Sequence, residues 1–313
     1  MSGDFFTPRP YTGMEDLEKM RRLLQEGRKA ANGTYYPHVG DLSWWLFYPP
    51  VEFERWKDIY MWDDPDNLDR LLGWALLSPD GYLFDVYLQP EERGSDRAEA
   101  MYLWAEMQVQ ELARRGGKDK IGVMWIFETD ALLRGHLNRR GFTLVSWDVF
   151  MSQRLDDPLP SPVLPAGFQV RGCRGEAELE ARALAQRGAF GTQIPLDQYL
   201  GRWQRFMRSP VYDPDLDVVV AAPEGRIAAF CLAWLDPMNQ VGNFEPVGTH
   251  PDFQGRGLGK AVLFEALHRL QQRGIRQAVV CTPESNLPAV KLYKSVGFAV
   301  ENRLGYFEKR IDL

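Results

Sequence analysis

Two fifteen-residue segments, "ETDALLRGHLNRRGF" (Glu128 to Phe142) and "ESNLPAVKLYKSVGF" (Glu284 to Phe298), stand 156 residues apart in a chain of 313. The same offset carries "RLLGWALL" (Arg70 to Leu77) onto "RIAAFCLA" (Arg226 to Ala233) and Arg154 onto Arg310. Identities are few, but order and spacing agree, which marks a duplicated unit. Each half reads as helical segments, an antiparallel strand pair around a turn, a loop, a long helix, a strand, a short helix ending in Gly-Phe, and closing strands. Strands alternating with helices around one sheet give a layered α/β or α+β domain, present twice.

Between the copies, "DPLPSPVLPAG" (Asp157 to Gly167) sets Pro158, Pro160, Pro162 and Pro165 close together. Proline prevents helix and favours an extended, semi-rigid connector. The expected organisation is therefore a domain over residues 1–156, a linker over 157–167 and a second domain over 168–313, two cores of ordinary size.

A hydrophobic share of 45% with 26% charged residues is that of a globular chain. The net charge of −6 gives no general attraction to a phosphate polymer or an anionic membrane, which argues against nucleic acid or lipid as partner. The opening "MSGDFFTPRP" has no apolar signal core, and no stretch reaches the roughly 18 apolar residues of a membrane span. A cytoplasmic location is the expectation. Cys173, Cys231 and Cys281 are far apart and read as buried reduced thiols. Four histidines without an HExxH or a Cys/His cluster give no metal site.

The sharpest chemical signal is "HPDFQGRGLGKAV" (His250 to Val262), placed between the strand candidate "NFEPVGT" and the helix candidate "KAVLFEALHRLQQRG". In that helix Val262, Leu263, Ala266, Leu267 and Leu270 share one face, while Glu265, His268, Arg269 and Gln272 share the other. Gly257 and Gly259 fall at its first turn, where orphan N–H groups and the positive end of the helix dipole favour an anion. Glycine keeps Cβ atoms out of the way, and Arg256 and Lys260 add charge. A Walker A loop is excluded because three residues separate Gly255 from Gly259 and Ala261 follows Lys260. A Rossmann turn is excluded because the third glycine comes one residue early.

The pattern Gln254-x-x-Gly257-x-Gly259 resembles the pyrophosphate-binding loop of the GNAT superfamily of acyl-CoA-dependent N-acyltransferases. A second motif supports the likeness. In "VVCTPESNLPAVKLYKSVGF", Asn286 can cap a short helix with Pro288 in its first turn, and Gly297 suits the left-handed position after it. The resemblance covers Asp217 to Tyr306. It implies two tandem GNAT-like domains, each a central mixed, mostly antiparallel sheet flanked by helices. It also implies acetyl-CoA as the donor bound by the second half, with contacts from Val247, Thr249, Gln254, Gly255, Arg256, Gly257, Gly259, Lys260 and Asn286. Asn286 has two readings, a helix cap and a hydrogen bond to the pantetheine arm.

Acetyl transfer from a thioester to an amine needs a neutral amine, a stabilised oxyanion and a protonated leaving thiolate. Pro246 cannot donate to a sheet ladder, so a bulge or unpaired edge is expected there. Similar enzymes splay this strand from the next to admit the pantetheine. The Val247 amide then suits the oxyanion contact, Glu245 is the candidate general base, and Tyr293, by likeness to the family, the general acid. A thiol pKa near 8.5 makes the help from Tyr293 modest. His250, beside Pro251, reads as a turn residue.

The first half departs from the pattern. "QPEERGSDRAEAM" (Gln89 to Met101) has one glycine, and Glu91, Glu92 and Asp96 oppose a pyrophosphate. Leu137 stands where Tyr293 stands and Asp130 where Asn286 stands. This half resembles a GNAT fold that has lost its cofactor loop, and tandem members commonly keep one working half. The aromatic stretch "YYPHVGDLSWWLFYPP" (Tyr35 to Pro50) reads as core or interface, or as part of an acceptor pocket. The implied function is N-acetylation of a primary amine on a small-molecule acceptor. A binding module that holds acyl-CoA without turnover is the competing class. Monomer and homodimer remain equally open.

Overall fold

The computed structural model describes residues 7–49 and 55–312, so Pro50 of the aromatic stretch and the first six residues lie outside the described residues. Along the first half run β1 (Arg9–Pro10), α1 (Met14–Ala30), α2 (Val39–Phe47), β2 (Ile59–Asp64), β3 (Asn67–Ser78), β4 (Leu83–Leu88), α3 (Asp96–Arg115), β5 (Lys120–Phe127), α4 (Ala131–Arg139) and β6 (Thr143–Arg154). The second half adds β7 (Gln169–Gly172), α5 (Leu179–Phe190), α6 (Leu196–Met207), β8 (Asp217–Ala221), β9 (Ile227–Asp236) and β10 (Val241–Thr249). It ends with α7 (Leu258–Gln272), β11 (Gln277–Pro283), α8 (Leu287–Ser295) and β12 (Ala299–Arg310). The offset of 156 read from the sequence relates α4 to α8 and β6 to β12 end for end.

Contacts divide the chain into two compact units, and neither is contiguous in sequence. The first comprises Met1–His38, Glu54–Asp148 and Asn302–Leu313. Within it β1, β2, β3 and β4 pair antiparallel, β4 meets β5 in parallel, and β5 receives Leu304 to Arg310 of β12 antiparallel. Helices α1 and α3 pack on this sheet, burying Leu17, Met20, Leu23, Met101, Ala105 and Val109.

The second unit comprises Val39–Phe53 and Val149–Glu301. Strands β7, β8, β9 and β10 pair antiparallel and β10 meets β11 in parallel. Both units are thus mixed, mostly antiparallel sheets flanked by helices, as expected. Side chains on β8 and β9 alternate between two cores, one per sheet face. Val218, Val220, Cys231 and Ala233 join Val262, Leu263, Ala266, Leu267 and Leu270 of α7, the face predicted for that helix. Val219, Phe230, Leu232 and Trp234 join α5 and α6 through Ala183, Tyr199, Trp203 and Phe206. Helix α2 lies on this second face. Its Trp44 stacks on Tyr48 at 3.8 Å, and both rings meet Trp203 and Phe206 edge-on. The aromatic stretch therefore divides, with Tyr36 buried in the first unit and Trp44 and Tyr48 packed in the second.

A fully buried pair, Arg182 Nε to Asp217 Oδ1 at 2.8 Å, ties α5 to β8, with the guanidinium between Trp203 and Phe230. Losing one partner would leave an unpaired buried charge, a cost of about 3–5 kcal/mol. The proline-rich segment carries no helix or strand. It lies along α7, with Gln271 Nε2 donating to Asp157 O at 2.9 Å. Of the cysteines, Cys173 and Cys231 are buried as expected, whereas Cys281 is partly exposed, on β11 beyond the residues that pair with β10. Among the described residues, no helix is long and apolar enough to cross a membrane.

Candidate active site

The site of the second unit begins where two parallel strands part. Strand β10 pairs with β11 only at Val241, Gly242 and Asn243, opposite Gln277, Ala278 and Val279. It then continues to Thr249 against β9 alone, while β11 runs on to Pro283. Along the β9 edge, Phe244 faces Ala233 and Val247 faces Cys231, so Glu245 and Pro246 together oppose Leu232. This is the bulge that Pro246 requires, since its nitrogen has no hydrogen for the ladder. Trp234 Nε1 donates to the Glu245 carbonyl at 2.7 Å and pins the bulge.

Past β10 the chain makes a 3-10 turn, Pro251–Phe253, capped by the His250 side chain, which accepts the Asp252 amide. His250 is thus the turn residue expected, with Arg226 Nη2 3.4 Å from its Nδ1. Gln254 Nε2 reaches back to Thr249 O at 3.3 Å, and Arg256 Nη2 to Asp252 O at 3.2 Å. Gly255 and Gly257 both adopt positive φ, 75° and 78°. Gly257 is the N-cap of α7, so no side chain caps the helix and its first turn holds no acidic residue. The orphan amides of that turn face outward with Arg256 and Lys260 exposed beside them. At Gly259 a Cβ atom would stand 3.1 Å from Thr249 Oγ1 and 3.2 Å from Leu292 Cδ2, so a larger residue would push into the cradle. Amides, dipole and cations together suit a diphosphate.

Helix α8 borders the same wedge. Asn286 caps it, accepting the Ala289 amide at 3.4 Å and donating to Thr282 Oγ1 at 3.2 Å. The cap reading is the one these contacts carry. Tyr293 is 6% exposed and packs against Phe298. Burial first, then the charges of Cys231, Cys281 and Glu245, push its phenol above the ordinary range, so it holds its proton at neutral pH. Glu245 is partly exposed, yet desolvation and the neighbouring Asp41 carboxyl hold its pKa well above the usual carboxylate range. The structure thus brings Glu245 and Tyr293 into mutual electrostatic reach and groups Val247, Thr249 and the 254–260 loop along one wedge.

Two contributors were invisible in the sequence reading. Asp41 arrives on α2, 202 positions from its partner: Asn243 Nδ2 donates to Asp41 Oδ1 at 2.7 Å. An acid in the first turn of an apolar helix signals only a helix start, so no local pattern points to it. Trp234 sits in an apolar strand run, where an indole reads as core.

The first unit offers a direct counterpart. Its β4 and β5 pair in parallel only at Leu83 and Gly122. The cavity beyond, about 20 Å³, is lined by Tyr35, Tyr36 and Arg93 among others. Arg93 bonds Asp130 at 2.6 Å, Asp130 being the cap of α4, and its guanidinium lies 4.9 Å from the Tyr35 ring centre. At the start of α3, the Ser95 hydroxyl accepts the Ala98 amide at 3.1 Å, with Asp96 and Glu99 in the first turn.

Comparison with known proteins agrees with this geometry. The sequence profile of the Acetyltransferase (GNAT) family matches residues 184–298. A protein of Streptomyces bingchenggensis named mycothiol acetyltransferase is 30% identical over 211 residues, covering 62% of this chain and 68% of the relative. One of the same name from Acidothermus cellulolyticus is 27% identical over 269 residues, 78% of this chain and 77% of the relative. Against several others of that name, including those of Saccharomonospora viridis and Thermobifida fusca, the chain spans only about half the relative's length. Among solved structures, a tandem GNAT protein from the clavulanic acid biosynthesis pathway superposes with a TM-score of 0.67 at 13% identity, covering 97% of each chain.

Proposed function

The chain belongs to the GNAT acetyltransferase family, and from that premise we propose that the part spanning residues 168–313 transfers an acetyl group from acetyl-CoA to a primary amine of a small-molecule acceptor. The observation that carries this reading is the start of α7, uncapped, free of acids and entered through two left-handed glycines, beside the wedge where β10 leaves β11. On this reading the first amides of α7 hold the diphosphate, Arg256 and Lys260 add charge, and Thr249, Gln254 and Gly255 shape the loop. Asn286 keeps its cap role and stands beside the pantetheine arm. When bound, the donor supplies an activated thioester.

The protein's own groups then manage the protons. Glu245 accepts the proton that the amine loses as the nitrogen–carbon bond forms. The Val247 amide donates to the carbonyl oxygen, and Tyr293 gives a proton to sulfur as the carbon–sulfur bond breaks. One proton leaves nitrogen and one reaches sulfur, so Glu245 and Tyr293 are restored once a proton passes between them through solvent. A phenol held above its ordinary range is a weaker acid than the thiol it serves, so the help this proton gives the departing sulfur is modest. The raised pKa of Glu245 makes it a stronger base once it ionises, and turnover should rise with pH through that ionisation.

Relatives named mycothiol acetyltransferase make a mycothiol-type acceptor the first to test. We read the first unit as having lost its donor site, since Ser95, Asp96, Glu99 and the Arg93 to Asp130 pair occupy the corresponding positions. Calorimetry with CoA, followed by thiol release from acetyl-CoA across a panel of amines, tests the proposal. Heat with CoA and amine-dependent release are expected. Heat without release for any amine would leave an acyl-CoA-binding module, and no heat with CoA would overturn both readings.

A further inference from the structure

Glu245 shares its surroundings with a second carboxyl. Asp41, in the first turn of α2, is 7% exposed and belongs to the same compact unit as β10 although it lies in the first half of the sequence. The Asn243 amide holds Asp41 Oδ1 at 2.7 Å in a buried contact. Asn243 is the last residue at which β10 still pairs with β11, two positions before Glu245, so the clamp sits at the mouth of the wedge. Held on Asn243, two positions along β10 from Glu245, the Asp41 carboxyl stands near enough to oppose ionisation of Glu245. Two carboxylates carry no donor between them, so they can bond to each other only while the pair retains a proton.

We propose that Asp41 is a positioning residue of the transfer reaction: held by Asn243, its carboxyl shares one proton with Glu245 and thereby fixes where the Glu245 carboxylate points and when it is free to take a proton from the acceptor. The proposal rests on the reading of Glu245 as the base. Among the described residues, the ionisable groups that face Glu245 are Asp41 from α2 and Tyr293 from α8, with the thiols of Cys231 on β9 and Cys281 on β11 acting on Tyr293. None of them is cationic. Desolvation and the Asp41 charge act in the same direction on Glu245, against ionisation. The proton therefore belongs to the pair, and its loss is the event that arms the base.

An Asp41→Asn substitution keeps the size of the side chain and removes its charge. The new amide's oxygen can keep the Asn243 bond while its N–H₂ donates to Glu245, which favours the ionised form. The full-length protein, labelled with ¹³C at the glutamate side-chain carboxyls, reports this without any ligand, and Glu245→Gln assigns the signal. In the wild type the Glu245 signal should titrate at higher pH than exposed glutamates, and in Asp41→Asn it should move down toward them. The acid limb of kcat/KM for thiol release from acetyl-CoA should move to lower pH in parallel, with CoA affinity unchanged. An unmoved Glu245 titration in Asp41→Asn, with Glu245→Gln inactive, overturns the proposal alone. Undiminished turnover in Glu245→Gln overturns the base reading and this proposal with it. Should Asp41→Asn fail to fold, Asp41→Ser removes the same charge in a smaller volume and reads the same shift.

Discussion

At the start of α3 a serine hydroxyl takes up an orphan amide and two acids occupy the first turn; at the start of α7 a left-handed glycine leaves those amides uncapped and the first turn holds no acid. The two helices follow equivalent 3-10 turns, Pro90–Glu92 and Pro251–Phe253. Both sheets also part beside them, β4 from β5 and β10 from β11. The scaffold for an anion is therefore present twice, and local chemistry decides which copy can use it. In the first copy the wedge holds tyrosine rings and an arginine already committed to Asp130. In the second the wedge is bordered by Glu245 and Tyr293. Fold is conserved by packing, which asks only for apolar side chains of the right size, whereas a site is removed by a few polar substitutions.

The largest effect should come from Glu245. Glu245→Gln removes the base while keeping the side chain's shape, and kcat is expected to fall by roughly 10²–10⁴-fold with CoA affinity unchanged by calorimetry. Equal loss of affinity would mean that Glu245 serves the loop and not the proton. Next comes the helix start. Gly257→Asp gives α7 the acid that α3 carries, placed against a diphosphate and forced into positive φ. Loss of the dipole contribution and a like charge at close range should together weaken CoA by roughly 10²–10³-fold. The reverse exchange, Ser95→Gly with Asp96→Gly and Glu99→Ala, should leave the first unit without CoA binding, because Tyr35, Tyr36 and the Asp130-paired Arg93 still line a cavity of only about 20 Å³. Calorimetry on that variant in a Gly257→Asp background checks it, and measurable binding would show that capping alone separates the two copies.

The fold was legible because the repeat constrains it twice over. Helices α4 and α8 keep identical lengths and equivalent caps at Asp130 and Asn286, and the apolar face of α7 is buried as its spacing predicts. The glycine loop was legible for the same reason that makes it functional, since positive φ and close approach restrict the residues that fit. What lay beyond reach was long-range placement. That residues after Asn302 complete the first unit while α2 joins the second is set by which sheet edge receives a segment. Neither choice leaves a mark in local periodicity, because a strand buries the same alternate residues against either edge. Asp41 was missed on that account: its meaning comes entirely from Asn243 and Glu245, and these meet it only in three dimensions.

Smaller effects sharpen the comparison further. Strand β4 also carries a buried carboxyl, Asp85, raised to about 7 by burial and eased only by the Met124 amide at 3.2 Å. Here the proton bears on stability. A carboxyl raised above its unfolded value near 3.9 retains a proton that the unfolded chain has lost, so stability is full below about pH 4 and declines as pH rises toward 7. Asp85→Asn removes that decline and at pH 8 should stabilise the protein by up to about 4 kcal/mol, seen as a rise of several degrees in Tm. Melting curves at pH 5 and pH 8 check the sign, and a variant no more stable at pH 8 would show that Asp85 ionises freely.

The smallest difference is one hydroxyl. Leu137 on α4 and Tyr293 on α8 occupy equivalent positions, and both are buried against the core. Tyr293→Phe keeps the ring on Phe298 and removes only the proton donor, so CoA affinity and melting temperature should stay as they are. Because a thiolate of pKa near 8.5 leaves without full protonation, kcat should fall by about tenfold or less. The loss should shrink as the pH falls and solvent protonates the sulfur more readily if the phenol transfers its proton outright, and stay constant if it only donates a hydrogen bond. Thiol release measured across pH for the two proteins separates these cases, and an unchanged kcat throughout would reduce Tyr293 to the packing role that Leu137 already fills.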